Sequence, residues 1–519
     1  MASLFRAIFS PRPSPVSNKQ AKDDVYQTIA NSQPHNVYEE VLFLKGHSGP
    51  VNHLKKINKT HFVTGADDNL VVVWESKYGS MTELYHSYHT SPITCILPLS
   101  ISSDYSTESE TDISDHTIAT ASSTELVIWE LKDIEPGVNP KISTDHKGVI
   151  NCLCLLRQDM LCSGGQDICL WDIPSGKLLS KYDRSQIPDE NISEIHSILE
   201  IEGRNFGIVA VSKNPKPEFY EIKKSTVTQT VQYHLQFNDH LLSFHNGPVS
   251  YLTSVSNTLF ATGSEDGSVI VWSINSLNAI KRFEGMKDDF SDSSNSLSQS
   301  TSSSIMSSTI INFDPSSRVN FILVLCQRYL FVAIGRGFKV FDVYSSDVSV
   351  TPHELQSTHK PLVVHTEAHK DAINHMEFII EESMLITASA DQSVRLWKPD
   401  PSLAPFQKKP PVQKKEDMDK FNVEVFCGIH TNSTNQRQSL RKRRSLPSQT
   451  TPIVPTLVGE LMLHSDTVQS VLFMSSEDGL VTCGSDNMVL LWKNLDSEDE
   501  KRESELRKYL KETYYDAVP

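Results

Sequence analysis

The chain has 519 residues, with 48 Lys+Arg against 64 Asp+Glu, a net charge of -16, and 38% hydrophobic residues. That length exceeds one ordinary hydrophobic core, which leaves several domains, a repeat array or one large closed fold. The acid excess disfavours a protein whose main ligand is a nucleic-acid backbone.

At the N-terminus, MASLFRAIFS has an apolar patch broken by Arg6, too short for a secretory signal, and Ala2 stands where myristoylation needs glycine. Residues 1–36 read as a disordered arm. VYEEVLFL (37–44) is the first strand, and Gly46-His47 follows it. From there one motif recurs. All six tryptophans, Trp74, Trp129, Trp171, Trp272, Trp397 and Trp492, end short apolar runs: VVVW, LVIW, ICLW, VIVW, VRLW and VLLW. A histidine ahead of an apolar strand precedes five of them, His47, His146, His245, His369 and His464, at 27, 25, 27, 28 and 28 residues. His89 is the sixth once the acidic stretch 102–115 before Trp129 is looped out. In four units an aspartate stands six residues before the tryptophan (Asp68, Asp266, Asp391, Asp486) and a threonine four before that (Thr64, Thr262, Thr387, Thr482). A short four-stranded sheet cannot bury both faces alone, so loop histidine, strand hydroxyl, turn aspartate and indole N–H can join in one buried hydrogen-bonded chain.

Two units lack the tryptophan. Between Trp171 and Trp272, ISEIHSILEI, NFGIVAVS and EFYEI give three strands with Tyr220 in its place; between Trp272 and Trp397, NFILVLC, YLFVAIG and FKVFDV do the same with Phe341. The intervening Gly335-Arg336-Gly337 is a hairpin turn, since no helix follows it to hold a phosphate. The count is eight units. Nothing strand-like follows Trp492, so the 37–44 strand is free to complete the last unit and remove the exposed edges.

Three segments fall outside the repeat. Residues 288–309 are half serine and read as a disordered loop. Residues 398–455 read as a disordered insertion with 11 Lys+Arg against 5 Asp+Glu, including KKPPVQKK, RKRR and the apolar island FNVEVFCGI (421–429). The basic runs suit anionic lipid, an import receptor or a kinase at Ser445; a plain linker has no use for Phe421, Val423, Phe426 and Ile429 together. After 496, Ser497 with Glu500 forms a capping-box pattern, and 498–515 is predicted helical within a 497–519 tail, with Leu506, Tyr509, Leu510 and Tyr514 among its apolar residues.

No catalytic motif is present: no phosphate loop, HExxH, GxSxG or dinucleotide fingerprint. Cys152, Cys154, Cys162 and Cys169 lack metal-ligand spacing and read as core residues. We therefore expect no catalysis, cofactor or metal. No apolar stretch is long enough to span a membrane, 319–334 being broken by Gln327 and Arg328. Eight cysteines without a regular framework fit a reducing, cytoplasmic setting without disulfides.

The Gly-His to Trp array resembles the WD-repeat family, which implies an all-β fold, an eight-bladed β-propeller over 37–496 closed by its N-terminal strand, with a C-terminal helix. YEEVLFLKGH, the shortened SGGQDICLW, the Trp-less AIGRGFKVFDV and GLVTCGSDNMVLLWKN are similar to one branch of it. That resemblance implies a non-catalytic scaffold in a complex with two DENN-domain proteins, the Smith-Magenis chromosome region candidate 8 protein and the chromosome 9 open reading frame 72 protein. Such a complex acts on small GTPases, autophagy and lysosomal nutrient signalling. By the same resemblance, Leu42 and Leu44 of the seam with Leu506, Tyr509, Leu510 and Tyr514 of the tail meet the DENN subunit. Phe421, Val423, Phe426 and Ile429 would engage a lysosomal PQ-loop cationic amino-acid transporter and recruit the complex to that membrane. A ubiquitin-ligase substrate receptor or nuclear scaffold is the alternative; Trp171-Asp172 is followed by Ile173-Pro174 rather than the receptor's WDxR, while RKRR could serve nuclear import.

Overall fold

The structure, a computed structural model, describes residues 38, 40–77, 80–85, 89–99, 116–131, 141–157, 159–187, 193–203, 206–227, 230–284, 314–345, 360–399, 415–429 and 452–494. The expected insertions 102–115 and 288–309, the arm 1–36 and the tail 497–519 lie outside them.

Eight antiparallel four-stranded sheets follow one another along the chain. Blade one, with strands Val51–Lys56, His61–Ala66, Val71–Glu75 and Ser80–Tyr85, sets the pattern. Its second strand is buried throughout and its third nearly so, as expected where both faces of a sheet are covered. Blades two to seven span 93–143, 152–183, 197–240, 249–283, 319–365 and 373–461. Blade eight takes three strands from 468–493 and its outermost from Glu40–Leu44, which pairs with Val489–Lys493 in the register Leu42↔Leu491. Both ends of the array thus share one sheet, and the ring closes through eight backbone-paired blades.

Packing follows the same order. Eight apolar clusters occupy the eight boundaries between successive blades. The aromatic residue ending each third strand lies in the cluster shared with the preceding blade: Trp74 against blade eight, Tyr220 against blade three, Phe341 stacked on Phe283 at 4.7 Å. Close approach of neighbours demands small residues on the second strand. A Cβ on Gly65 would sit 2.6 Å from Ile96 Cδ1 of blade two. Near the channel, polar side chains of the first strands bond to the next blade's backbone: Thr94 to Ile150 O at 2.5 Å, Asn151 to Ile195 O at 3.1 Å, Ser250 to Val319 O at 2.6 Å and Asn374 to Val468 O at 3.0 Å.

The long blade-seven insertion corrects one expectation. Residues 398–455 are not disordered throughout: Lys415–Phe426 forms a helix. Glu416 and Asp417 occupy its first turn, where the helix dipole favours acids. Gly428, at φ 65°, ends it, with Gly428 N–H donating to Val425 O and Ile429 N–H to Glu424 O at 3.0 and 2.9 Å. That double bond around a left-handed residue is a Schellman stop. The helix buries Phe421, Val423 and Phe426; of these Val423 and Phe426, with Cys427 beyond the helix, lie in the cluster between blades six and seven. Phe426 meets Phe331 and Phe378 at 5.7 and 5.4 Å, and the Tyr329 hydroxyl donates to Glu424 at 3.1 Å. The apolar island is thus a piece of the core brought in from a loop. Phe426→Ala is expected to cost about 3–5 kcal/mol, the range for emptying a buried aromatic site; a urea midpoint unchanged from wild type would place the helix outside the cooperative core.

Candidate functional site

In blade one, Trp74 Nε1–H donates to Thr64 Oγ1 at 2.8 Å, and Thr64 Oγ1 meets His47 Nε2 at 2.8 Å. His47 Nδ1 lies 3.1 Å from Asp68. The carboxylate also accepts from Ser48 N–H at 2.7 Å. With the imidazole neutral, the protons run from indole to hydroxyl, from hydroxyl to the imidazole Nε2, and from imidazole Nδ1–H to carboxylate. Blades seven and eight repeat it through His369, Thr387, Asp391 and Trp397, and through His464, Thr482, Asp486 and Trp492, with bonds of 2.7 to 3.0 Å. In blade five, Trp272 and His245 meet at Thr262, each at 2.8 Å, but Ser268 stands between His245 and Asp266, 2.7 Å from the former and 2.6 Å from the latter.

Burial favours neutral rings. It lowers the imidazole pKa of His47, His245 and His369 even though an aspartate pulls each the other way. For Asp266 and Asp391, burial pushes upward, but bonds from the histidine and from Ser268 or Ser393 outweigh it and hold each carboxyl below its usual range.

The remaining blades contain members that spacing did not reveal. Blade two uses His89, Thr120 and Trp129, with Ser122 and Glu125 in the aspartate's place. Burial lowers His89 to about 4 against the raising effect of Glu125. Blade three has a shorter turn, so Ser163 and Asp167 complete the set at positions eight and four before Trp171. Blade four abandons the histidine. Arg184, at the end of blade three, pairs with Glu218 at 2.6 Å, and Tyr220 donates to Glu218 at 2.5 Å, all three buried. In blade six, Arg328 pairs with Asp342 at 2.7 Å beside Phe341.

Among the described residues, His146, Asp167 and Cys169 have ligand atoms within 4.8 Å of one another. The blade network accounts for them. Asp167 already accepts from His146 and from Lys181, each at 2.6 Å, and burial pushes the Cys169 thiol up, away from the thiolate a metal needs. Burial likewise raises Cys154 to about 12 and the neighbouring Cys152 and Cys162 thiols.

The residues expected to meet partners sort differently. Leu44 is buried against Val51, Trp74 and Leu491, with Leu42 packed partly against the same cluster, where the ring closes. Phe43 between them is 43% exposed. Phe421, Val423 and Phe426 are buried, Val423 and Phe426 in the cluster between blades six and seven, and Ile429 packs partly against that cluster. Leu506, Tyr509, Leu510 and Tyr514 lie outside the described residues.

A family model of the WDR41 β-propeller matches residues 12–507. The chain belongs to the WDR41 β-propeller family. WD repeat-containing protein 41 of Homo sapiens is 26% identical over 497 residues, and that of Mus musculus 24% over 499, each alignment covering 95% of both chains. The crystal structure of the computationally designed Ika8 protein superposes with a TM-score of 0.53 over 87% of this chain and 98% of its own, at 16% identity, a likeness of fold alone. In this WDR41-family ring no described helix is long and apolar enough to cross a membrane.

Two outcomes follow from the networks. Thr262→Val keeps the shape of the side chain but leaves the Trp272 indole N–H and the His245 ring nitrogen unpaired, at a cost of about 1–3 kcal/mol in urea denaturation; an unchanged midpoint would contradict the buried chain. Burial also lowers the channel histidines His53 and His375, to about 4 and about 3. Histidines depressed in the folded state take up protons first when unfolded, so stability falls as pH drops from about 6.5 towards 4. Glu377, raised by burial to about 7, and Glu200, raised by burial as well, oppose this above their unfolded value near 4.5, as two groups against several histidines. Melting temperature is expected to fall steadily across that interval; a flat profile would mean the rings are protonated.

Proposed function

We propose that this propeller is the non-catalytic scaffold subunit of a complex with a pair of DENN-domain proteins that regulates small GTPases in autophagy and lysosomal nutrient signalling. The observation that carries the reading is membership of the WDR41 family along nearly the whole chain. The chemistry of the ring agrees with it. The histidines, acids and hydroxyls of the tryptophan networks are bonded to one another within blades, which commits them to architecture rather than to a reacting substrate.

A docking surface for the DENN subunit lies at the seam. The Glu40–Leu44 strand is the outermost of blade eight, with one neighbour in its sheet among the described residues, and Phe43 on it is partly exposed. Such an edge is suited to an added strand or an apolar clamp. With the helix 415–426 committed to the core, recruitment to a lysosomal PQ-loop transporter falls to the flanking stretches 400–414 and 430–451, which carry most of KKPPVQKK and all of RKRR.

The test is co-purification from cells of full-length chain, a Phe43→Asp variant, and a variant with 400–414 and 430–451 replaced by Gly-Ser linkers. Wild type is expected to retain both DENN proteins and to sediment with lysosomes. Phe43→Asp should lose the DENN pair while keeping its melting temperature, and the linker variant should keep the pair while leaving the lysosomal fraction. Absence of any DENN protein from the wild-type eluate would overturn the reading.

A further inference from the structure

Blade four departs from its neighbours at its outer half. Its last two strands, Glu218–Val227 and Thr230–His240, run 10 and 11 residues, against 5 and 6 for the same strands of blade one. On the inner side, Glu218–Val227 pairs with Phe206–Val211 only as far as Gly207↔Glu221. Beyond that point the hairpin continues to Val227↔Thr230 as a two-stranded ribbon. From Ile222 outward, the ribbon's inner edge has no strand partner among the described residues. An isolated ribbon is marginal by itself, and an open edge is ordinarily paired, covered or charged.

The open edge adjoins a cavity. Ile222, Lys224 and Tyr233 of the ribbon and Phe206, Arg157 and Glu202 of the ring line a space of about 230 Å³. Apolar surface from Ile222, Phe206 and Tyr233 gives it room for one large side chain. Its rim is cationic. Arg157 is paired with Glu202, and Lys223 lies 3.5 Å from Glu221. Lys224 has no such carboxylate among the described residues; its ammonium lies 5.8 Å above the Tyr233 ring. This uncompensated cation belongs to a chain of net charge -16.

We propose that the inner edge of this ribbon is a strand-addition site for an extended acidic segment of a partner protein, which seats one apolar side chain in the cavity. The backbone edge supplies hydrogen bonds to the added strand, the cavity takes one side chain of its alternating pattern, and Lys224 meets an acidic residue beside it. The site lies in blade four, apart from the blade-eight seam, and is independent of the proposed DENN contact.

The test uses full-length protein and a fluorescent peptide of about ten residues alternating leucine with aspartate and glutamate, titrated by anisotropy. Saturable binding is expected, weaker by about tenfold for Lys224→Glu. The same peptide N-methylated at alternate amides should not bind, because strand addition needs those donors. A lysine-for-acid counterpart should not bind either. No binding of the acidic peptide, or equal binding by Lys224→Glu with an unchanged melt, would overturn the proposal. So would conversion of Lys224→Glu to a dimer in sedimentation with no change in peptide affinity, since Lys224 would then only guard the edge.

Discussion

A blade has two apolar faces, and each needs another blade to cover it. This constraint governs the molecule. Eight sheets meet the demand only as a closed circuit, with one apolar cluster at each of the eight boundaries. An open array would leave two faces in water, so the strand at 40–44 holds the seam for the whole ring. Leu44 and Leu491 lie in the same cluster as Trp74 and Val51, which ties this remote strand to the first blade as well as to the last.

Within that circuit the hydrogen-bonded chains set the geometry of each blade. The indole is the largest side chain at most boundaries, and burying its N–H would be costly without the strand hydroxyl. The hydroxyl in turn needs an acceptor, and a neutral histidine supplies the shortest contact, 2.8 Å from Thr64 against 3.4 Å to the Val72 carbonyl. Where the histidine is missing, the same need is met by other chemistry: Arg184, Glu218 and Tyr220 form a buried, mutually bonded set at the boundary of blades three and four. Phe341 takes the tryptophan position without a polar atom, and its ring stacks on Phe283. The boundary tolerates either solution because it requires volume and satisfied polar atoms, not a particular residue.

The period of the ring was legible because tryptophan and histidine are rare and recur at nearly constant spacing. The two degenerate blades were legible from strand patterning, with Tyr220 and Phe341 in the expected position. The rest depended on distance in space. Arg184 belongs by sequence to blade three, and nothing in its neighbourhood marks it as the partner of Glu218. Ser163 and Asp167 escaped because a shortened turn moved them out of register. FNVEVFCGI was recognisably too apolar for a linker, but its place between Phe331 and Phe378 is a property of the folded ring. Leu42 and Leu44 were legible as a strand; that Leu44 faces inward follows from pairing register with Leu491 and Val489.

A closed ring of this kind offers rim, faces and insertions to other proteins while its interior stays fixed, which is the physical basis of a scaffold. Ring closure can be tested directly by native-state hydrogen exchange of the full-length protein, following the backbone amides of 41–44 beside those of 489–493. In a closed ring both segments exchange slowly and only through its global unfolding. Fast exchange at 41–44 with 489–493 still protected would contradict closure, showing that the N-terminal strand rests on the ring without closing it.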